Sequence, residues 1–388
     1  MFWRNMEIYI ATAIALLIFI ASAISVEMAL SAAIIEIVIG VIAGNLFHLQ
    51  PPQWMDFMAG FGGILLTFLA GAEVDHQILK SKLKESVLIG GFSFLIPYLA
   101  AIAYCYWIAH WTWKASLIAG CALSTTSLAV VYAVLVETGL TATPIGKLIM
   151  ASTFITDIGT AIALSLSFAA WSLNTLWFLA GSAALIILAP RFLPRIFERY
   201  GARVIEPEIK FLFLLLFVLM SLGHWGRSQA VLPVFVLGLM LAPMFREKKE
   251  LQRKLRIVAF AMITPCFFIK GGMNVSLALL ASNWALLLML FAVKTGAKFI
   301  GVWAVARHYV KEHANYTTLL MSTGLTFGTI SSLYGLQAGY IDSAQFSVLV
   351  AVVIATAIVP TFIAQRWFSP ELPLEMQEEL SAQEEESP

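Results

Sequence analysis

The chain has 388 residues, of which 60% are hydrophobic and only 12% charged, and its mean hydropathy is +0.86. Soluble domains carry about 25% charged residues, so a soluble globular protein is excluded and a polytopic membrane protein is expected. The net charge of +1 gives no reason to expect nucleic acid or an acidic partner. Cys105, Cys121 and Cys266 lie far apart in apolar runs, and the six histidines lack HExxH spacing. Neither a disulfide framework nor a metal or nucleotide cofactor is expected.

A spanning helix needs roughly 20 mostly apolar residues, and thirteen segments read as spans: 7–24, 26–45, 57–74, 86–109, 115–136, 144–170, 173–190, 209–223, 230–245, 255–271, 283–305, 315–337 and 344–365. The first, with Arg4 before it, has the look of a cleaved leader. Glu7 and the charge alternation favour a retained span. With thirteen spans, most Lys and Arg collect on one side, at Lys80 to Lys84, Lys147, Arg191 to Arg203, Lys210, Arg246 to Arg256, Arg307, Lys311 and Arg366. Only Arg4, Lys114 and Arg227 fall on the other. Positive charge marks the cytoplasmic side, which predicts an N-terminus out and a C-terminus in, in a prokaryotic inner membrane or an equivalent internal membrane. Residues 1–370 form one membrane unit, and 371–388 is an acidic tail expected to be disordered. The stretch 191–208 reads as a hinge between halves.

Two spans are interrupted by small polar residues. "LSTTSLAVVY" (123–132) and "LTFGTISSLY" (325–334) match at an offset of 202, and both place Ser, Thr or Gly at mid-span. Small residues alone would serve helix packing. Interrupted spans at corresponding positions of two halves instead point to a transporter site, because unwound backbone is tolerated at membrane depth only inside protein or along a wet cavity.

Asp157 is the only charge in "ASTFITDIGTAIALSLSF" (151–168), on the span after the first interrupted one. An ionised carboxylate at the centre of such a helix costs about 2.5–3.5 kcal/mol, and intramembrane acids are functional by default. Thr153 lies one turn earlier on the same face and Thr156 precedes Asp157 directly. Carboxylate, hydroxyl and loose carbonyl oxygens suit a hard cation such as Na⁺. Because burial favours the protonated form of a carboxylate, proton and cation compete for one site. Lys294 and Lys298 share a helix face; Lys298 is the deeper, while Lys294 has the option of reaching an interface. Lys270 and Asn274 read as interfacial, as do Glu73 and Asp75, with Glu73 having the option of reaching the cavity, and Glu36 reads as a packing residue.

In this setting the chain resembles the second monovalent cation:proton antiporter family. "IIEIVIGVIAGNLF" resembles its early glycine-rich span, and "GGILLTFLAGAEVD" the span ending in Gly, a small residue and Glu. "LIAGCALSTTSLAVVYAVLVETGLTATPIGKLIMASTFITDIG" resembles its first broken helix with the carboxylate helix, "AKFIGVWAVAR" its lysine helix and "TGLTFGTISSLYG" its second broken helix. The resemblance implies an all-α fold of about 13 transmembrane helices, built as two inverted repeats with two broken crossing helices. It also implies a homodimer with a dimerisation part (about 7–75 and 173–271) and a mobile core (about 86–170 and 283–365). By position, Asp157 corresponds to the shared cation- and proton-binding carboxylate, Thr126 and Ser127 to the hydroxyl pair at the first break, and Lys298 to the basic residue facing the site. Asp157 and Thr126 would line the Na⁺ site, with Thr153 and Thr156 near it, and no cofactor beyond the transported Na⁺ (or K⁺ or Li⁺) and H⁺.

One position departs from the pattern. Electrogenic members carry two adjacent aspartates, the first paired with the lysine, and here Thr156 precedes Asp157. Lys298 would then pair with Asp157 in the empty state, and one-for-one exchange is the simplest cycle. A proton released by Lys298 itself would make it two protons per cation. The rival functions are a sodium-coupled organic solute carrier or a K⁺ efflux system of the same architecture, a channel, and an intramembrane hydrolase. The hydrolase would need paired aspartates, a Ser–His pair or HExxH within the spans, and the chain has none of them; no enzyme activity is expected.

Overall fold

The computed structural model describes residues 2–28, 31–74, 82–168, 173–200, 203, 205–226 and 228–370. The acidic tail 371–388, Asp75 with the run after it, and Arg227 lie outside the described residues. The described chain is helical: α1 (Phe2–Met28), α2 (Ala32–Asn45), α3 (Gln53–Ala72), α4 (Leu83–Ala103), α5 (Trp113–Ser124), α6 (Leu128–Glu137), α7 (Pro144–Ser167), α8 (Leu173–Tyr200) and α9 (Pro207–Trp225). It continues as α10 (Val231–Glu247), α11 (Lys249–Val258), α12 (Thr264–Met273), α13 (Leu277–Ser282), α14 (Trp284–Lys298), α15 (Ala304–Tyr309), α16 (Ala314–Met321), α17 (Thr326–Gln337) and α18 (Ser343–Trp367). Widened π turns follow α4 at Tyr104–Ile108, join α11 to α12 at Ala259–Ile263, and join α14 to α15 at Phe299–Trp303.

Ten helices among the described residues are long and apolar enough to cross a membrane, which makes this a multi-pass membrane protein. The other three expected spans fall on α2, which has only 14 residues, on α10, and on the broken pair α16 and α17, which length and apolarity alone do not pick out. The expected hinge at 191–208 is helical as far as Tyr200, with Pro190 and Pro194 inside α8.

Local sequence explains where the site-bearing helices begin. Thr112 caps α5 by accepting from the Ala115 N–H at 3.2 Å. Thr143 caps α7 by accepting from Gly146, and Pro144 follows at the first helical position, where its missing N–H is harmless. Asp342 and Gln345 form a capping box at the start of α18.

Packing follows from small residues. Gly40 on α2 and Gly272 on α12 let the two backbones touch: a Cβ on Gly40 would collide with the Ile269 carbonyl, and one on Gly272 with the Ile37 carbonyl. Without a hydrophobic force between helices in lipid, such close approach is what holds them together. One apolar core joins α2, α4, α5, α7, α17 and α18. Another joins α3 to α8, α9, α10 and α11. Asp157, Lys294 and Lys298 are buried on α7 and α14, and many of the buried hydroxyls lie with them on α5, α7 and α16.

Candidate ion-binding site

The first break is where the sequence places it. α5 ends at Ser124, Thr125 is extended, and the helix resumes at Leu128. The second lies at Ser322–Leu325, between α16 and α17, one turn before most of the motif matched at the offset of 202. "SSLY" is therefore helical, and the structural counterpart of "STTS" is "STGL". The Thr126 hydroxyl donates to the Met321 carbonyl at 2.8 Å, tying one break to the helix end of the other.

Asp157 faces these breaks from α7. It is 2% exposed, and no side chain among the described residues donates to its carboxylate. It lines a cavity of about 330 Å³ together with Thr126, Tyr132, Glu73 and Arg256. At the same cavity Glu73 Oε1 accepts from Arg256 Nη2 at 2.6 Å and Nε at 3.0 Å.

The remaining expected residues divide. Thr153 donates to the Ile149 carbonyl at 3.0 Å and touches the Met321 sulfur at 3.7 Å, so it reaches the second broken helix. Thr156 donates to the Thr153 carbonyl at 2.7 Å and is buried within the α7 packing rather than lining the cavity. Ser127 sits at the start of α6 with its oxygen 3.5 Å from the Val130 N–H, also away from the cavity wall. Lys298 is completely buried; its Nζ donates to Ser93 Oγ (2.8 Å), the Ser124 carbonyl (2.8 Å) and Thr126 Oγ1 (3.0 Å). An ammonium has three N–H donors, and all three are placed. Lys298 and Asp157 form no ion pair within 4.0 Å. The direct pair expected of the empty site is replaced by a shared neighbour, Thr126.

Other sequence readings change. Lys294 does not reach an interface but is fully buried. Lys270 is only 6% exposed and is paired with Asp56 at 2.7 Å. Ser93, the Lys298 acceptor on α4, and Arg256, the Glu73 partner, were not among the expected site residues. The signals available for them were a lone serine within "GGFSF" and an arginine at the very start of a span.

A family model described as "Sodium/hydrogen exchanger, transmembrane" matches residues 10–369. The chain belongs to the sodium/hydrogen exchanger family. Within that family it is 25% identical over 350 residues to "Probable Na(+)/H(+) antiporter 3" of Methanocaldococcus jannaschii, covering 85% of this chain and 88% of the relative. It is 24% identical over 338 residues to "Na(+)/H(+) antiporter NhaS4" of Synechocystis, covering 81% and 82%. Among solved structures, the sodium proton antiporter MjNhaP1 of Methanocaldococcus jannaschii, at pH 8, superposes with a TM-score of 0.68. That match covers 94% of this exchanger-family chain and 97% of the other, at 16% identity, and is a likeness of fold.

Proposed function

We propose that the protein is a secondary transporter exchanging Na⁺ for H⁺ by alternating access, with one carboxylate, Asp157, binding either ion in turn. The carrying observation is that carboxylate, buried at the crossing of two broken helices, facing a cavity and without a donor among the described residues. Such a group can be neutralised by a proton or by a cation, and each excludes the other. Thr126 supplies a further oxygen at the cavity wall, and helix-break carbonyls are the natural supplement. Lys298, held by Ser93 and Ser124, balances the charge of the empty site from behind Thr126 without occupying the cation position. The names of the relatives agree with this chemistry, and transport, not catalysis, is the activity it supports.

In this reading α4 to α7 and α14 to α18 carry the ion, against a dimerising frame of α1 to α3 and α8 to α12. Positive-inside charge sets the N-terminus out, and the Glu73–Arg256 end of the cavity then opens to the cytoplasm. The test uses everted vesicles with a pH-sensitive dye: adding Na⁺ dissipates an imposed proton gradient, and a dye signal indifferent to Na⁺, K⁺ and Li⁺ overturns the reading.

Thr126→Val removes a cavity oxygen and the hydroxyl between Lys298 and Met321. It is expected to weaken the apparent Na⁺ affinity roughly tenfold, the ratio set by 1.4 kcal/mol. The dependence of dye recovery on Na⁺ concentration measures this, and an unchanged half-saturation would remove Thr126 from the site.

A further inference from the structure

Two lysines lie one turn apart on α14, and the structure treats them oppositely. Lys298 has an acceptor for each of its N–H groups. Lys294 is equally buried, at 0% exposure, and its Nζ has no hydrogen-bond partner among the described residues. Its amine is aimed at the second helix break: a Cβ on Gly324 would collide with Lys294 Nζ and lie 3.2 Å from Thr125 Oγ1 of the first break. Glycine at 324 therefore leaves the space that the amine fills, between the two breaks and away from the Asp157 cavity wall.

A buried ammonium without acceptors is unfavourable, whereas a neutral amine loses far less. The other charges nearby sharpen the contrast. Lys298 is on the same helix, Asp157 lies beyond it on α7, and Glu73 is paired at the cavity mouth. α4 and α18, which pack on α14, carry charges only near their ends, at Lys84, Glu85 and Arg366. With both lysines protonated and a cation on Asp157, the crossing would hold three positive charges against one carboxylate.

We propose that Lys294 is a second proton carrier of the exchanger: it sheds a proton when the cation binds and regains one on the return, so that two protons cross for each cation. In the forward step an Nζ–H bond breaks, the electron pair stays on nitrogen, and the proton passes to water as hydronium. In the return the amine takes a proton from water. This rests on the exchange reading above and assigns the second proton to Lys294 rather than to the fully bonded Lys298.

Purified protein in liposomes, with a potential imposed by a K⁺ ionophore, tests the stoichiometry through Na⁺-driven pH change. Wild-type rates are expected to follow the voltage, and exchange by Lys294→Met is expected to become indifferent to it. Voltage-independent wild-type exchange, or a variant that responds to voltage as wild type does, overturns the assignment; absence of Na⁺-driven flux in wild type refutes the exchange reading instead. Thermal melting in detergent decides independently of transport, including where the variant does not exchange. The melting temperature of Lys294→Met is expected to exceed that of wild type by several degrees at pH 6 and by less at pH 9. A difference that stays constant across that range means that Lys294 remains protonated in the folded protein throughout, and the proposal fails.

Discussion

Asp157→Asn is expected to abolish Na⁺-driven proton flux, down to the leak of protein-free liposomes, while the protein still inserts and folds. The amide matches the carboxyl in shape but can neither carry the exchanged proton nor neutralise a cation. Folding is not at risk, because no group among the described residues donates to this carboxylate. Replacing it also removes an ionisable group whose charged form costs about 2.5–3.5 kcal/mol at the centre of a spanning helix. The variant should melt at or above the wild-type temperature. Size-exclusion and melting profiles in detergent, with dye-monitored exchange in liposomes, check both halves. Near-normal exchange by folded Asp157→Asn would overturn the assignment of the shared site.

The second large effect belongs to packing. Gly272→Leu places a side chain where α12 meets the Ile37 carbonyl of α2 and the Cα of Gly40. No rotamer avoids a collision that begins at Cβ, so the two backbones must separate. Overpacking of this kind costs about 1–3 kcal/mol or more, and here it separates the helices along their whole glycine-lined contact. The melting temperature should drop by many degrees and the yield of folded protein with it. Gly60→Ala, with open space around the new Cβ, is the matched control and should melt like wild type. Equal melting of Gly272→Leu and wild type would show that the α2–α12 contact is not close-packed.

How far the sequence discloses this arrangement depends on the kind of signal. Asp157 was legible because a lone acid in an apolar span stands out whatever surrounds it. The first break was legible because its run of four hydroxyl residues is echoed by a small, polar stretch in the second half, a pairing that helix packing alone does not explain. The second was displaced by one turn, because a Ser-, Thr- and Gly-rich stretch shows that a helix is weak without showing which residue leaves it. Ser322–Leu325 and "GTISS" are equally rich in small residues, and only the packing of α17 on α5 decides between them. Lys298 with Ser93, and Glu73 with Arg256, join residues 205 and 183 positions apart. Nothing in either local pattern names the partner. The same limit hid the difference between Lys294 and Lys298, which look alike on a helical wheel and differ only in which neighbours bring oxygen atoms.

The π turn at Phe299–Trp303, immediately after Lys298, bears on how α14 and α15 are phased. A π turn holds one more residue than an α turn, and one residue of α-helix turns the chain by about 100°. The lysine-bearing stretch and the Arg307 end thus keep separate angular registers on what looks like a single rod. Because that turn absorbs the extra residue, the helix after Trp303 runs in phase with a rod one residue shorter, and Ala306 stays fully buried. Removing one residue from Phe299–Trp303 would let the turn close as an α turn with Ala306, Lys294 and Lys298 all in place, whereas removing one from Ala304–Tyr309 would swing the residues after the cut by about 100°. The turn works as a phase shifter: the inward face keeps one spacing up to Lys298 and takes a spacing one residue longer on the way to Ala306.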